Sequence, residues 1–443
     1  MRPTEAEDLP VAKKAPGPHT VRPAGGFSLL GDGLPAPGAA AKGPRPARLG
    51  LDGAALEDVD ADVPAAVGRF LDDLLSERVE RAAALDPVFG RDLAERVAAF
   101  TLDGGKRMRS RFVWWALRAC GGGPVEAEAA LRIGAALELI QTCALVHDDV
   151  MDGSRLRRGR PALHADVAAQ YTGAVAHDTG RRFGEAAAIL AGDLALVWAD
   201  DTVADIEVEP DTAHRVRDLW STMRTEMVAG QYLDLQGQVT SSVSLARAVR
   251  AACLKSALYS VERPLALGAA LAGADTARTA ALCSAGRCVG IAFQLRDDLT
   301  DVFGDPARTG KPTGGDIRAG KPTYLAAVAR ARAEAAGDRR ALAVLRRALG
   351  RADLSDRCLG EVREVLVATG ARDVVEAKID RLVAQGMRHL DSAALEPRGR
   401  RRLRELLHAA AGTVAVPAPG PCGADHGMPV SALLTVGAEG TAR

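Results

Sequence analysis

The residues best suited to chemistry are two aspartate clusters. In HDDVMD, Asp148 and Asp152 stand four residues apart with Asp149 beside the first; in QLRDDLTD, Asp297, Asp298 and Asp301 repeat the same i, i+1, i+4 arrangement. On a helix this spacing puts the first and last carboxylates of each set on one face, a turn apart. Three carboxylates so close repel one another and need neutralising. Their hard oxygens suit Mg²⁺, which keeps several waters and takes its remaining ligands from phosphate groups. One such cluster alone also reads as a solvated helix end. Two copies, each after apolar helical text and before a Gly-rich basic loop, read as paired metal-binding walls.

Cations accompany both clusters. Gly104-Gly105-Lys106-Arg107-Met108-Arg109 forms a loop before a helix, Arg157 and Arg158 follow the first cluster, and Lys311 and Lys321 follow the second in two GKPT copies. Lys255 lies mid-helix in CLKSALY. An isolated Arg-Arg pair is ordinary surface. Cations spread over separate loops but paired with acidic clusters look like receptors for diphosphates, some held directly and some through magnesium.

The elements that must position these groups are helical. Val63 onward, Val125 onward and the text leading into QLRDDL place apolar residues three and four apart, and β-branched alternation over a strand length is hard to find. Breaks fall at DGGKRM, DGSRLRRGRP, IEVEPD and GDPARTGKPTGGDIRAGKPT, where Gly, Pro and Asp cluster. With only 4% aromatic residues the chain disfavours sandwiches and barrels, and the pattern predicts an all-α bundle. Residues 1–54 form a low-complexity extension expected to be disordered, since nine of the 23 prolines fall in the first fifty positions. A single helical domain is expected over 55–411, and 412–443 reads as a flexible tail. Zero net charge argues against general nucleic-acid binding. Of the seven cysteines, Cys120, Cys143, Cys253, Cys283, Cys288 and Cys358 lie singly in or beside helical text, which suggests reduced thiols. No run of eighteen apolar residues predicts a transmembrane segment, and the N-terminus lacks a signal-peptide core, so a cytoplasmic protein is expected.

The chain resembles the isoprenyl diphosphate synthases, or trans-prenyl synthetases, and most of all a geranylgeranyl diphosphate synthase. GGKRMR, HDDVMDGSRLRRGRP, AAAILAGDLAL, GQYLD, LKS, GIAFQLRDDLTDVFGD and GKPTGGDIRAGKPT follow the family's order over about residues 60–400. The resemblance implies an antiparallel helical bundle around a deep apolar cavity, usually a homodimer. It implies that Asp148 and Asp152 bind two Mg²⁺ ions bridging an allylic diphosphate. Asp297 would hold a third ion, with Asp149, Asp298 and Asp301 in support. Arg157, Lys255, Gln294, Lys311 and Lys321 would contact the allylic diphosphate, and Lys106, Arg109 and Arg158 isopentenyl diphosphate. Gln141 stands where many members have histidine and retains a hydrogen-bonding group toward phosphate; Ser256 replaces the more usual Thr and keeps the hydroxyl. The implied reaction ionises the allylic diphosphate, adds isopentenyl diphosphate and loses a proton to the departing diphosphate. No catalytic His is required, so His147 is read as packing beside the metal cluster.

Product length has one physical handle. Cys143 and Ala144 precede Asp148 by five and four residues, about 6–7.5 Å down the helix at 1.5 Å per residue. Both are small. In the resembled family a bulky aromatic near these positions commonly stops growth at fifteen carbons, and the two-residue insertion of bacterial farnesyl synthases is absent from DDVMD. The expectation is therefore geranylgeranyl diphosphate, with farnesyl or longer products as alternatives if the floor lies elsewhere, for example around Gly184–Ala188. A terpene cyclase would carry an Asn/Asp, Ser/Thr, Glu motif in place of the second cluster. A regulatory subunit of a heteromeric synthase would typically lack one cluster, and both are intact.

Overall fold

The computed structural model describes residues 53–240, 245–306 and 313–413. Among them the all-α expectation holds: paired strands are confined to a two-residue hairpin, Leu156–Arg157 against Arg160–Pro161. Eight helices carry the argument: α1 (Val63–Leu85), α2 (Met108–Ala119), α3 (Pro124–Met151), α4 (His177–Ala204), α5 (Pro210–Thr240), α6 (Thr276–Phe303), α7 (Ala371–Ser392) and α8 (Pro397–Ala410). The breaks read from Gly, Pro and Asp clusters fall between helices. The hairpin, however, lies inside one of them, and the short helix Gly315–Ala319 inside another. Helical structure also begins at Gly53, slightly ahead of the expected boundary. Most of the two tails lies outside the described residues.

Helix α3 runs through the middle of the bundle. Pro124 sits in its first turn, where a missing N–H is harmless, and Glu126 accepts a hydrogen bond from the Gly123 N–H at 2.9 Å. Ile133, Leu137, Leu139 and Ile140 are fully buried, as are Phe112 and Trp114 of α2; each such burial contributes roughly 1.5–3 kcal/mol. By length and composition α3 could cross a membrane, but its most apolar window is 83% buried inside the protein, so it is a core helix. It ends within the first aspartate cluster, with Asp152 as its C-cap and Gly153 next at a φ of +63°.

Helix α6 starts on an Asp275 cap, whose carboxylate accepts the Arg278 N–H at 2.8 Å. It ends immediately after an aspartate cluster, at Gly304. Both clusters therefore occupy C-terminal turns, where the helix dipole is negative and added carboxylates are unfavourable. The demand for cations follows from the fold as well as from the sequence.

Between α5 and α6 the backbone takes a ten-residue π-helical stretch, Cys253–Glu262. Helix α5 packs tightly on it because residue 230 is glycine: a Cβ there would lie 2.2 Å from the Lys255 backbone nitrogen. The six described cysteines carry free thiols.

Candidate active site

A cavity of about 2100 Å³ opens between α3, α5, the π-helical stretch and α6, and both aspartate clusters line it. On the α3 side, Asp148 accepts hydrogen bonds from Gln231 (3.1 Å) and Lys255 (3.3 Å), and Arg157 lies 3.5 Å away. Burial alone would raise its pKa, but Lys255, Lys321 and Arg157 outweigh it and hold the carboxyl below the usual range. Asp152 receives Lys321 at 3.0 Å. Asp149 is buried beneath the cluster, gripped by Arg157 at 2.9 and 3.1 Å, and thereby orients that guanidinium toward the cavity.

On the α6 side, Asp297 is exposed to the cavity. Asp298 is buried and accepts a 2.9 Å hydrogen bond from Gln294; burial first, then the nearby Asp316, pushes its pKa well above the carboxylate range. Asp301 accepts the backbone N–H groups of Gly315 (3.2 Å) and Asp316 (3.1 Å), fixing the following loop to the helix end. Asp316 is pushed up to about 7 by burial and by Asp301. Lys311 lies outside the described residues.

A second basic patch lines the same cavity. Lys106 and Arg109 line the cavity from the Gly-rich loop and the start of α2. Arg109 stacks over the Tyr259 ring, 4.2 Å from its centroid, and donates to Ser260 at 3.0 Å. Tyr259 donates to Gln141 at 2.9 Å, and Ser256 also lines the wall. Arg158 is turned aside, over Phe100 and onto the Asp103 carbonyl at 2.9 Å, outside the cavity wall. Cys143 and Ala144 face the cavity below Asp148, whereas Gly184–Ala188 does not: Gly184 packs directly on the His164 carbonyl. His147 bonds the Ile189 carbonyl at 3.0 Å, and Gly192 leaves just enough room for its ring.

Sequence reasoning missed Asp234, Gln231, Asp316, Tyr259 and Ser260. Asp234 sits 2.8 Å from Lys255, which it shares with Asp148. The signal was present in GQYLD, where Gln231 and Asp234 are three apart and so share a helix face. Asp316, 3.7 Å from Lys321, had only Gly-rich loop text around it. Among the described residues no group of three or more acidic, His or Cys side chains is arranged to hold an ion unaided. The donor set still fits magnesium, since its oxygens face a cavity in which phosphate and water can complete the shell.

A helical bundle whose cavity carries two acidic walls and two cationic patches has a lining suited to diphosphate esters and the metal ions that neutralise them. The polyprenyl synthetase family profile matches residues 91–362, and the chain belongs to that family. It is 32% identical over 304 residues to the (2E,6E)-farnesyl diphosphate synthase of Mycobacterium bovis, covering 69% of this chain and 78% of that protein. It is 31% identical over 261 residues to the geranylgeranyl diphosphate synthase of Methanosarcina mazei, 58% of this chain and 74% of the other. Its fold matches the crystal structure of geranylgeranyl pyrophosphate synthase from Corynebacterium glutamicum complexed with isoprenyl diphosphate and magnesium. There the TM-score is 0.74 at 38% identity, covering 79% of this chain and 98% of that one. The protein is a trans-prenyltransferase of the magnesium-dependent class that condenses isopentenyl diphosphate with allylic diphosphates.

Proposed function

We propose that the protein extends dimethylallyl, geranyl and farnesyl diphosphates with isopentenyl diphosphate to give geranylgeranyl diphosphate, releasing diphosphate. The observation carrying this reading is the pair of small residues Cys143 and Ala144 on the cavity wall below Asp148. Asp148, Asp152 and Asp297 would hold magnesium, three ions in all, which when bound neutralises the leaving diphosphate. Lys255, Arg157 and Lys321 bind the same diphosphate directly, releasing their present carboxylate partners as they do so. Asp149 keeps Arg157 aimed, and Asp234 keeps Lys255 aimed. Lys106 and Arg109 hold isopentenyl diphosphate at the second basic patch, with Tyr259 fixing both Arg109 and Gln141. The apolar wall below excludes water from the allylic cation, where preorganised charge acts strongly. With its ring nitrogen bonded to the Ile189 carbonyl, His147 serves packing rather than proton transfer.

A homodimer is part of this proposal. Phe183, Leu190 and Val197 are exposed at seven-residue spacing along α4, a stripe suited to a second copy. Incubating the protein with Mg²⁺, isopentenyl diphosphate and each starter, then measuring product length, tests the reading. Accumulation of twenty-carbon product supports it, and an end at fifteen carbons refutes it.

A further inference from the structure

The wall below the metal cluster changes character at a definite depth. Ala144, Cys143, Leu196 and Val228 make it apolar, and beneath them α5 presents Ser221, Arg224 and Thr225 to the same cavity. Arg224 is not loose. It is ion-paired to Asp200 of α4, and its guanidinium lies 5.9 Å from the Trp220 ring centroid. Trp220 in turn donates to Asp200 at 2.7 Å, so one carboxylate fixes both side chains.

Two helix registers give the depth independently. On α5, Gln231 touches Asp148, and Arg224 lies seven residues earlier, about 10.5 Å along the axis. On α4, Gly192 abuts His147, and Asp200 lies eight residues later, about 12 Å along the axis. An extended isoprene unit of four carbon–carbon bonds is on the order of 5 Å long. Arg224, which lines the cavity and is held by Asp200, therefore stands at the depth of the third unit of a tail descending from the metal cluster.

We propose that the Arg224–Asp200 ion pair is the stop that sets maximum product length. This rests on the prenyl-chain-extending reading above. The farnesyl tail brings its last unit up to the pair. A longer tail would have to displace a hydrated ion pair, whose side chains are 32% and 40% exposed, and bury it against hydrocarbon. Such desolvation is not repaid by contact with an apolar chain.

The test compares wild type with Arg224→Met, Arg224→Ala and Asp200→Ala, using farnesyl diphosphate as starter and excess isopentenyl diphosphate. Arg224→Met keeps an unbranched stem against Trp220 and removes the charge, so it carries the test if the alanine variants melt early. Products at least one unit longer than wild type's, raised tenfold or more as a share of the total, are expected. A wild-type length distribution from folded, active Arg224→Met overturns the proposal. If wild type ends at fifteen carbons, the geranylgeranyl reading falls, while lengthening in the variants still supports the stop.

Discussion

Lys321 reaches across the cavity mouth to Asp152, Nζ to Oδ2 at 3.0 Å, joining the loop after the second aspartate cluster to the end of the helix that carries the first. Lys255 makes a comparable bridge between Asp148 and Asp234. The acidic walls are thus neutralised by the cations proposed for the diphosphate, so on that proposal binding would exchange partners rather than expose bare charge.

Asp148→Ala or Asp297→Ala should lower turnover by several orders of magnitude with the helical circular dichroism unchanged, because both side chains face the cavity and Asp234 still pairs Lys255 when Asp148 is removed. Near wild-type turnover in either folded variant would remove the metal assignment.

The two cationic patches should separate kinetically. Arg109→Ala is expected to raise the KM for isopentenyl diphosphate, and Lys321→Ala that for the allylic substrate. Losing one charge-assisted contact of about 1.5–3 kcal/mol corresponds to roughly ten- to a hundredfold. Equal effects of both variants on both substrates would contradict the division.

Cys143→Phe should shorten the product toward farnesyl without abolishing the first condensation, since the ring would occupy the channel about 7.5 Å below Asp148. An unchanged product distribution in an active variant would show that this wall does not contact the tail.

Stability has its own test away from the cavity mouth. Glu262 is buried and receives two 2.7 Å hydrogen bonds from Arg287, with Arg263 at 3.8 Å. Arg287→Met should destabilise the protein toward the low end of about 3–5 kcal/mol, because Arg263 remains to offset part of the stranded charge. Urea unfolding would measure this; a loss under 1 kcal/mol would mean that the pair is replaceable by solvent.

A chain truncated to residues 51–412 should keep its melting temperature and activity. Precipitation or lost activity would show that a terminal segment contributes to the fold.

How much was legible beforehand depended on range. Apolar periodicity revealed α3 and α6, and the i, i+4 aspartates at their ends needed no tertiary information. The sequence places Lys255 in mid-helix and the family resemblance aims it at the allylic diphosphate; that Asp234 orients it depends on Gly230 letting two helices touch, which a linear reading does not contain. Arg158 shows the opposite limit of a linear reading. Its motif neighbour Arg157 enters the cavity, but the hairpin turn gives Arg158 a φ of +53° and sends its side chain onto Phe100.

The π-helical stretch Cys253–Glu262 has a consequence for anyone recombining such enzymes. Its i→i+5 bonding makes each turn wider than an α-helical one, and Lys255, Ser256, Tyr259 and Ser260 all face the cavity along it. Relaxation of the stretch to ordinary α-helix with no residue lost would rotate Tyr259 and Ser260 out of phase with Lys255. The two substrate sites would then lose their common angular reference although every side chain was still encoded. A chimera joined inside these ten residues should therefore fail where one joined at either end succeeds.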